Sequence, residues 1–172
     1  IMGHGMPYYE MWKYLASIQP DYGKAVEGFY NFYSNYEIGN VKYNYGTISV
    51  TDCRKVDNMM QVLTAINSRY RIGRNVDSNL QVLDGYRPAA FFDFADYIHR
   101  LCNNNTVLKG QFDKALAELV PYERHTAMYF YSLTEAGEHI INTCCGLTIS
   151  APSTNAMVIN SKPRSRFYAS LR

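Results

Sequence analysis

The chain has 172 residues, of which 47% are hydrophobic and 19% are charged, and its formal net charge is +2. This length is enough for one sizeable core, or for one small domain and part of another, and the hydrophobic content argues against a disordered chain. The small net charge gives no electrostatic reason to expect a nucleic-acid partner, and no apolar run approaches the length of a membrane-spanning helix.

A histidine between two glycines opens the chain, in the stretch Gly3-His4-Gly5-Met6-Pro7. Glycine carries no Cβ and reaches positive φ freely, so it suits a sharp turn or a close approach of the backbone to a ligand. The pattern alone leaves two interpretations open. One is a tight loop that only leads into a helix, and the other is a loop that contacts a ligand.

Two helices and a short strand are predicted after this loop. Pro7 suits the first turn of a helix that ends before Pro20, and Asp21 is the predicted N-cap of the second helix. The stretch "NYGTISVTD" alternates in polarity and predicts a strand with Ile48 and Val50 on one face. The apolar residues at helical spacing are Tyr8, Met11, Trp12 and Leu15 in the first helix and Ala25, Phe29, Phe32, Tyr33 and Tyr36 in the second.

Three further helices are predicted in the middle of the chain. Asp52 caps a helix from Arg54 to Tyr70, in which apolar residues keep the 3.6-residue period over several turns. The segment from Gly73 to Ala90 contains turn-forming residues throughout and predicts a long loop with one weak strand. The stretch "FFDFADYIHRL" predicts a helix that ends at Asn103–Asn105, and Val107–Leu119 form the next helix.

The last part of the chain predicts strands and contains two of the four cysteines. The stretches "YERHTAMYFYSL" and "TCCGLTISAPS" are interpreted as strands, the second of them buried and ended by Pro152. His139 shortly precedes Cys144 and Cys145, but proximity on one hairpin is weak support for a nucleophile and its base. Because the cysteines lack metal-ligand spacing, we predict no metal site and interpret them as small buried residues. They are Cys53, Cys102, Cys144 and Cys145.

The other histidines and the paired carboxylates show no catalytic spacing. His99 is predicted to face solvent from its helix, and His125 to point outward from its strand together with Glu123. Asp93 and Asp96 lie three residues apart on a predicted helix, where two acids are usually solvated. These residues are therefore interpreted as surface or structural groups.

Four stretches follow one another along the chain: "IMGHGMPYYEMWKYL", "GTISVTDCRKVDNMMQVL", "FFDFADYIHRL" and "CCGLTISAPS". In this order they resemble the C-terminal half of clostripain-family cysteine peptidases, which have a caspase-like fold. They are similar in turn to the family's Gly-Met/Trp-Pro-Tyr segment, its strand followed by an Asp-capped helix, its Asp-Leu-x-x-Phe helix and its Gly-Leu-Ser-Ile-Tyr-Phe-Pro strand. The last stretch departs from the family, because Ser150 and Ala151 stand where an aromatic residue precedes the final proline.

The resemblance implies an α/β to α+β fold. Residues 1–50 would be the end of a caspase-like α/β core, including a pocket loop, and residues 51–172 a mainly helical α+β C-terminal subdomain with a few strands. In the family the catalytic histidine and cysteine motifs precede the Gly-x-Pro-Tyr segment, and neither motif occurs here. Since the first residue is Ile1 rather than Met, we expect a processed product or a truncated chain. Because both catalytic motifs are missing, we expect this chain to be inactive alone.

The resemblance also implies a cysteine endopeptidase that cleaves after Arg or Lys, with an upstream catalytic segment and a peptide or protein substrate as its partners. Gly3, His4, Gly5 and Met6 would bind substrate, as a loop that lines the pocket for the basic residue. No cofactor is evident from the residues, and only the resemblance suggests calcium. A secreted or cell-envelope location in a bacterium is expected, with no signal segment in this chain. The alternative is a non-catalytic binding module that kept the fold and lost the catalytic pair.

Overall fold

The computed structural model describes residues 7–42, 44, 46–76, 79–130, 138–161 and 170. The chain divides into two compact units, and each unit is built from two separate stretches. Unit 1 comprises Ile1–Thr51 and Val120–Gly146, and unit 2 comprises Asp52–Leu119 and Leu147–Arg172. The two ranges expected from the sequence are continuous and do not include this return of the chain to unit 1 after Leu119. The assignment of residues 1–50 to a catalytic core and of 51–172 to a subdomain stays a prediction.

Helices and short strands alternate along the chain. The helices are α1 (Tyr8–Leu15), α2 (Tyr22–Ser34), α3 (Val56–Tyr70), α4 (Phe94–Cys102), α5 (Thr106–Leu119) and α6 (Ala156–Ser161), with a 3₁₀ helix at Cys53–Lys55. The strands are β1 (Glu37–Ile38), β2 (Val41–Lys42), β3 (Thr47–Val50), β4 (Phe92–Asp93), β5 (Tyr122–His125), β6 (Met128–Phe130), β7 (Glu138–Ile140) and β8 (Thr148–Ile149). None of the helices described is both long and apolar enough to cross a lipid bilayer.

In unit 1, both helices predicted from the sequence form, and they pack closely against each other. A Cβ atom on Gly28 of α2 would lie 2.6 Å from the carbonyl oxygen of Glu10, so only a glycine allows α1 this close. Asp21 caps α2 as predicted, because its carboxylate accepts a hydrogen bond from a backbone N–H three residues on, at 2.9 Å. The core cluster consists of Met11, Ala25, Phe29 and Tyr33, with Tyr14, Leu15, Phe32, Tyr36 and Ile48 packed around it.

The strands of unit 1 form three antiparallel pairs, β1 with β2, β3 with β5 and β6 with β7. All four residues of β3 are half-buried, so Ile48 and Val50 are no more buried than their neighbours. The stretch predicted as one strand from residue 122 onward is divided into β5 and β6. Between these two strands, the buried Thr126 donates its backbone N–H to the carbonyl oxygen of Gly46 at 2.9 Å.

Unit 2 is built mainly from α3, α4 and α5, and β4 pairs with β8. The helix predicted from Arg54 begins as the 3₁₀ helix and continues as α3 from Val56. Asp52 is the N-cap, because its carboxylate accepts the backbone N–H of Arg54 at 3.0 Å. The buried residues are Met59, Leu63 and Ile66 on α3, Phe94, Tyr97, Ile98, Leu101 and Cys102 on α4, and Phe112, Ala115 and Leu119 on α5.

Asp93 shows the main departure from the sequence prediction in unit 2. The helix α4 begins at Phe94 rather than at Phe91, since Phe92 and Asp93 pair with β8. The Asp93 side chain is fully buried and accepts the backbone N–H of Asp96 at 2.8 Å. Asp93 is therefore the N-cap of α4, and the expectation that it is a solvated acid is wrong.

The long loop predicted from Gly73 to Ala90 contains no named strand among its described residues. An isolated bridge joins Val82 to Phe92, which corresponds to the weak strand expected there. The carboxylate of the buried Asp84 accepts three backbone N–H groups from this loop and its exit. An internal acceptor of this kind orders the loop without regular secondary structure.

The last predicted strand is much shorter than expected. Only Thr148 and Ile149 of "TCCGLTISAPS" form a strand, and Cys144 and Cys145 precede it in irregular backbone. Gly146 has φ of 81°, a left-handed conformation that ends an extended run. The prediction of one continuous buried strand is therefore wrong.

Candidate functional site

Four residues predicted to bind substrate lie outside the described part of the chain: Gly3, His4, Gly5 and Met6. The next residue, Pro7, precedes α1, which carries three exposed aromatic side chains. Tyr8, Tyr9 and Trp12 are 69, 94 and 66% exposed, whereas Met11 is buried in the core of unit 1. The pocket loop stays a prediction, and these aromatic residues are the described surface that follows it directly in sequence.

Among the described residues, a cavity of about 370 Å³ lies in each unit. The cavity in unit 2 is apolar and is lined in part by Met59 and Leu63 of α3. The cavity in unit 1 is a groove along α1 and α2 with both signs of charge, including Lys13 and Glu27. No cysteine or histidine lines either cavity, so neither contains the nucleophile and base of a cysteine peptidase.

The histidines predicted to be surface groups differ in their surroundings. The Nε2 atom of His99 lies 2.6 Å from Oδ1 of Asp113, and these side chains are 40 and 52% exposed, so His99 lies at the surface as predicted. The Nδ1 atom of His125 lies 2.9 Å from Oε1 of Glu123, and these side chains are only 27 and 20% exposed. The prediction that they point outward is wrong, because the backbone at Gly146 lies against Glu123.

The four cysteines form no disulfide and differ in burial. Cys102 is fully buried, and burial raises the pKa of its thiol. Cys53 is exposed, and Cys144 and Cys145 are half-buried. The prediction of buried cysteines is thus confirmed only for Cys102. Cys53 lies in the 3₁₀ helix, and the strand expected to bury the other two does not reach them.

Glu123, His125 and Cys144 come together in unit 1. A carboxylate oxygen, an imidazole nitrogen and the thiol sulfur all lie within 4.8 Å of one another. Within the described ranges, no other three side chains of these acidic, histidine or cysteine types converge in this way. One residue separates Glu123 and His125, so the alternation of side chains along a strand places both on the same face. This part of the group could be predicted from the sequence. No signal in the sequence associates Cys144 with them.

Calcium, which the resemblance implies, prefers about six to eight oxygen ligands. The Glu123, His125 and Cys144 side chains offer one carboxylate together with a nitrogen and a sulfur, so this group does not fit calcium. Calcium binding stays a prediction without support from the side-chain clusters that the structure describes.

Comparison with protein-family models and with curated proteins gave no match. Solved structures did match. A clostripain from Bacteroides thetaiotaomicron in complex with a peptide inhibitor is 39% identical, with a TM-score of 0.84 over 99% of this chain and 72% of that chain. The secreted C11 cysteine protease iotapain, from the same organism, is also 39% identical, with a TM-score of 0.85 over 100% of this chain and 46% of that chain.

A more distant structure supports the same fold. An inactive zymogen C11 protease from Parabacteroides distasonis is 19% identical, with a TM-score of 0.81 over 99% of this chain. The chain spans 49% of that zymogen and 46% of iotapain, so it corresponds to about half the length of these two proteins. The mixed helix and strand architecture agrees with these neighbours, which confirms the fold class predicted from the sequence. The chain belongs to the C11 clostripain family of cysteine proteases and has their caspase-like fold.

Proposed function

We propose that this chain is part of a cysteine endopeptidase that hydrolyses peptide bonds after Arg or Lys. The observation that carries the proposal is its 39% identity to the Bacteroides clostripain, over 99% of this chain and 72% of that one. That clostripain is in complex with the peptide inhibitor BTN-VLTK-AOMK, whose peptide letters end in lysine. This inhibitor supports a preference for a basic residue on the N-terminal side of the cleaved bond.

The proposed reaction proceeds through a thioester. A cysteine thiolate attacks the peptide carbonyl carbon, a histidine gives a proton to the leaving amine, and water then releases the new carboxylate and restores the thiol. We assign both groups to a segment that precedes these residues. In support, neither a cysteine nor a histidine lines the cavity of about 370 Å³ described in each unit.

In this proposal the loop of Gly3, His4, Gly5 and Met6 forms a wall of the specificity pocket. Its two glycines would let backbone carbonyl oxygens approach the basic side chain of the substrate. The partners are the preceding catalytic segment and a peptide or protein substrate. A secreted or cell-envelope location is supported by iotapain, which is described as secreted.

The proposal is tested with fluorogenic peptides that end in Arg or Lys. We expect no turnover by the purified 172-residue chain and clear turnover by the protein in its natural full length. Turnover by the short chain that is lost in Cys144→Ala or Cys145→Ala would contradict the assignment of the catalytic pair. If the full-length protein is also inactive on these peptides while it binds them, the non-catalytic binding module is the better description.

A further inference from the structure

The strand β5 presents two metal-ligating side chains side by side. Glu123 and His125 are alternate residues, so both project from the same face of the strand, and the exposed Tyr122 and Arg124 project from the other. Their side chains are 20 and 27% exposed, which leaves them accessible to a small ion yet sheltered from bulk water. Nδ1 of His125 and Oε1 of Glu123 are hydrogen-bonded to each other, so two atoms that can bind a metal ion are already held on one side of the strand.

The segment after β7 brings a third ligand to this face. At its start, the N–H of the buried Ile141 donates to a backbone carbonyl oxygen between β5 and β6 at 2.9 Å. At its end, the carbonyl oxygen of Gly146 accepts a hydrogen bond from the Ser49 hydroxyl at 2.7 Å. A Cβ atom on Gly146 would lie 2.6 Å from Cβ of Ser49 and 3.1 Å from Cγ of Glu123, so a glycine is needed for this approach. Anchored at both ends, the segment holds Cys144 beside the two β5 side chains.

The three side chains have the chemistry and the spacing of a zinc site. In a tetrahedral site with bonds of about 2.0–2.3 Å, neighbouring ligand atoms lie about 3.5 Å apart. The donor atoms of Glu123, His125 and Cys144 are all within 4.8 Å of one another, so small side-chain adjustments bring them to this separation. Thiolate and imidazole favour zinc and similar transition-metal ions over calcium or magnesium.

We propose that Glu123, His125 and Cys144 form a binding site for Zn²⁺ or a chemically similar divalent ion. Three protein ligands leave the fourth tetrahedral position to water. The ion would take the place of the hydrogen-bonded proton between Glu123 and His125, which would move to the other ring nitrogen or to solvent. The Cys144 thiol would release its proton to solvent as it binds, and the ion would join β5 to the segment that contains Cys144. Binding to the folded state alone would stabilise unit 1 by mass action. The site is independent of the proposed peptidase activity, because it needs no substrate and no catalytic group.

The test is metal binding by the natural full-length protein, with Cys145→Ser and His99→Asn as matched controls. We expect Cys144→Ser and His125→Asn to weaken zinc binding at this site by at least about 100-fold, measured by calorimetry. Loss of a group that only orients a metal ligand costs about 10–100-fold, and each of these variants removes a direct ligand. Neither control should change the affinity, since Cys145 and His99 lie outside the group. Any thiol elsewhere in the protein is present equally in Cys144→Ser and Cys145→Ser, so the comparison cancels its contribution.

Cobalt provides a second measurement, and its first reading needs only the unmutated protein. Co²⁺ bound to the unmutated protein should show a thiolate-to-metal charge-transfer band, and the band should keep its full intensity in Cys145→Ser and lose the contribution of Cys144 in Cys144→Ser. Absence of the band in the unmutated protein would overturn the proposal. So would equal zinc affinity in Cys144→Ser and Cys145→Ser, or displacement of zinc by an equal concentration of calcium.

Discussion

Three aspartates accept the first N–H groups of helical segments, and their environments differ. Asp21 precedes α2, Asp52 precedes the 3₁₀ helix and Asp93 precedes α4. Only Asp93 is fully buried. Asp52 also forms an ion pair with Arg54, whose Nε and Nη2 atoms lie 2.9 and 2.7 Å from its two carboxylate oxygens. The shared capping role is a local property, whereas the burial of each aspartate depends on what packs over it.

The Asp52 cap predicts a defined loss of stability in acid. Hydrogen bonds from the side chain and the backbone N–H of Arg54 lower the pKa of Asp52 from its ordinary value of 3.8 to about 2. Because the folded state holds the carboxylate ionised, this contribution is complete above 3.8 and is lost as the pH falls to about 2. Asp52→Asn should therefore lose less stability over this range than the unmutated protein.

Urea unfolding at both ends of this pH range measures the difference for Asp52→Asn. The matched control is Asp57→Asn, which removes an exposed acid from the first turn of α3 without touching the cap. If Asp57→Asn flattens the pH dependence as much as Asp52→Asn does, the cap is not its source.

His4 allows a test of the proposed pocket wall at a single residue. In the full-length enzyme, His4→Ala should change the ratio of kcat/KM for Arg and Lys substrates and leave a measurable rate, because a pocket residue tunes binding. A general base supplies about 10²–10⁴-fold of rate. Loss of more than about three decades for every substrate, without loss of folding, would identify His4 as the base instead. Gly5→Val should block both substrates, since a branched side chain would fill the pocket.

At the scale of elements, two helix glycines have opposite surroundings. Gly28 of α2 faces the Glu10 carbonyl oxygen at a distance that leaves no room for a Cβ atom. Gly110 of α5 has no atom within 4 Å of the position where its Cβ would be. Replacing each glycine by alanine therefore separates two effects on stability, the loss of close contact between helices and the gain in intrinsic helix propensity.

Gly28→Ala should destabilise the protein by about 1–3 kcal/mol, because the added methyl group forces α1 and α2 apart. Gly110→Ala should stabilise it by about 0.5–1 kcal/mol, because alanine favours the helix and meets no neighbour. Urea midpoints of both variants of the full-length protein give the comparison. A stabilising effect of Gly28→Ala would show that the helices are less closely packed than the structure indicates.

At the scale of the whole molecule, the exposed aromatic residues of α1 bear on how the chain behaves alone. Tyr9 and Trp12 are 94 and 66% exposed, and apolar surface of this kind promotes association. We expect the isolated 172-residue chain to aggregate or to unfold without a sharp thermal transition, unlike the full-length protein. Circular dichroism with light scattering tests this, and the single tryptophan, Trp12, reports its own exposure by fluorescence. A sharp transition from a monomer would instead indicate a self-contained domain.

The sequence by itself determined most of the helices, two of the caps and the family. The apolar spacing predicted α1 to α5 with small errors at their ends, and Asp21 and Asp52 cap as expected. These features are local, because a helix turn and its cap involve residues within about four positions of each other. The order of the four family-like stretches can likewise be recognised without knowing any contacts. The 39% identity to the Bacteroides clostripain confirmed the family that this order predicted.

Only the tertiary structure decided which side chains are covered and which meet. β3 pairs with β5 although α3, α4 and α5 lie between them in the sequence, and this pairing places residues 120–146 in unit 1. The same folding back covers Glu123 and brings Cys144 to His125. Asp93 is buried because β4 pairs with the distant β8. Strand pairing and burial depend on partners far along the chain, so local spacing does not contain them.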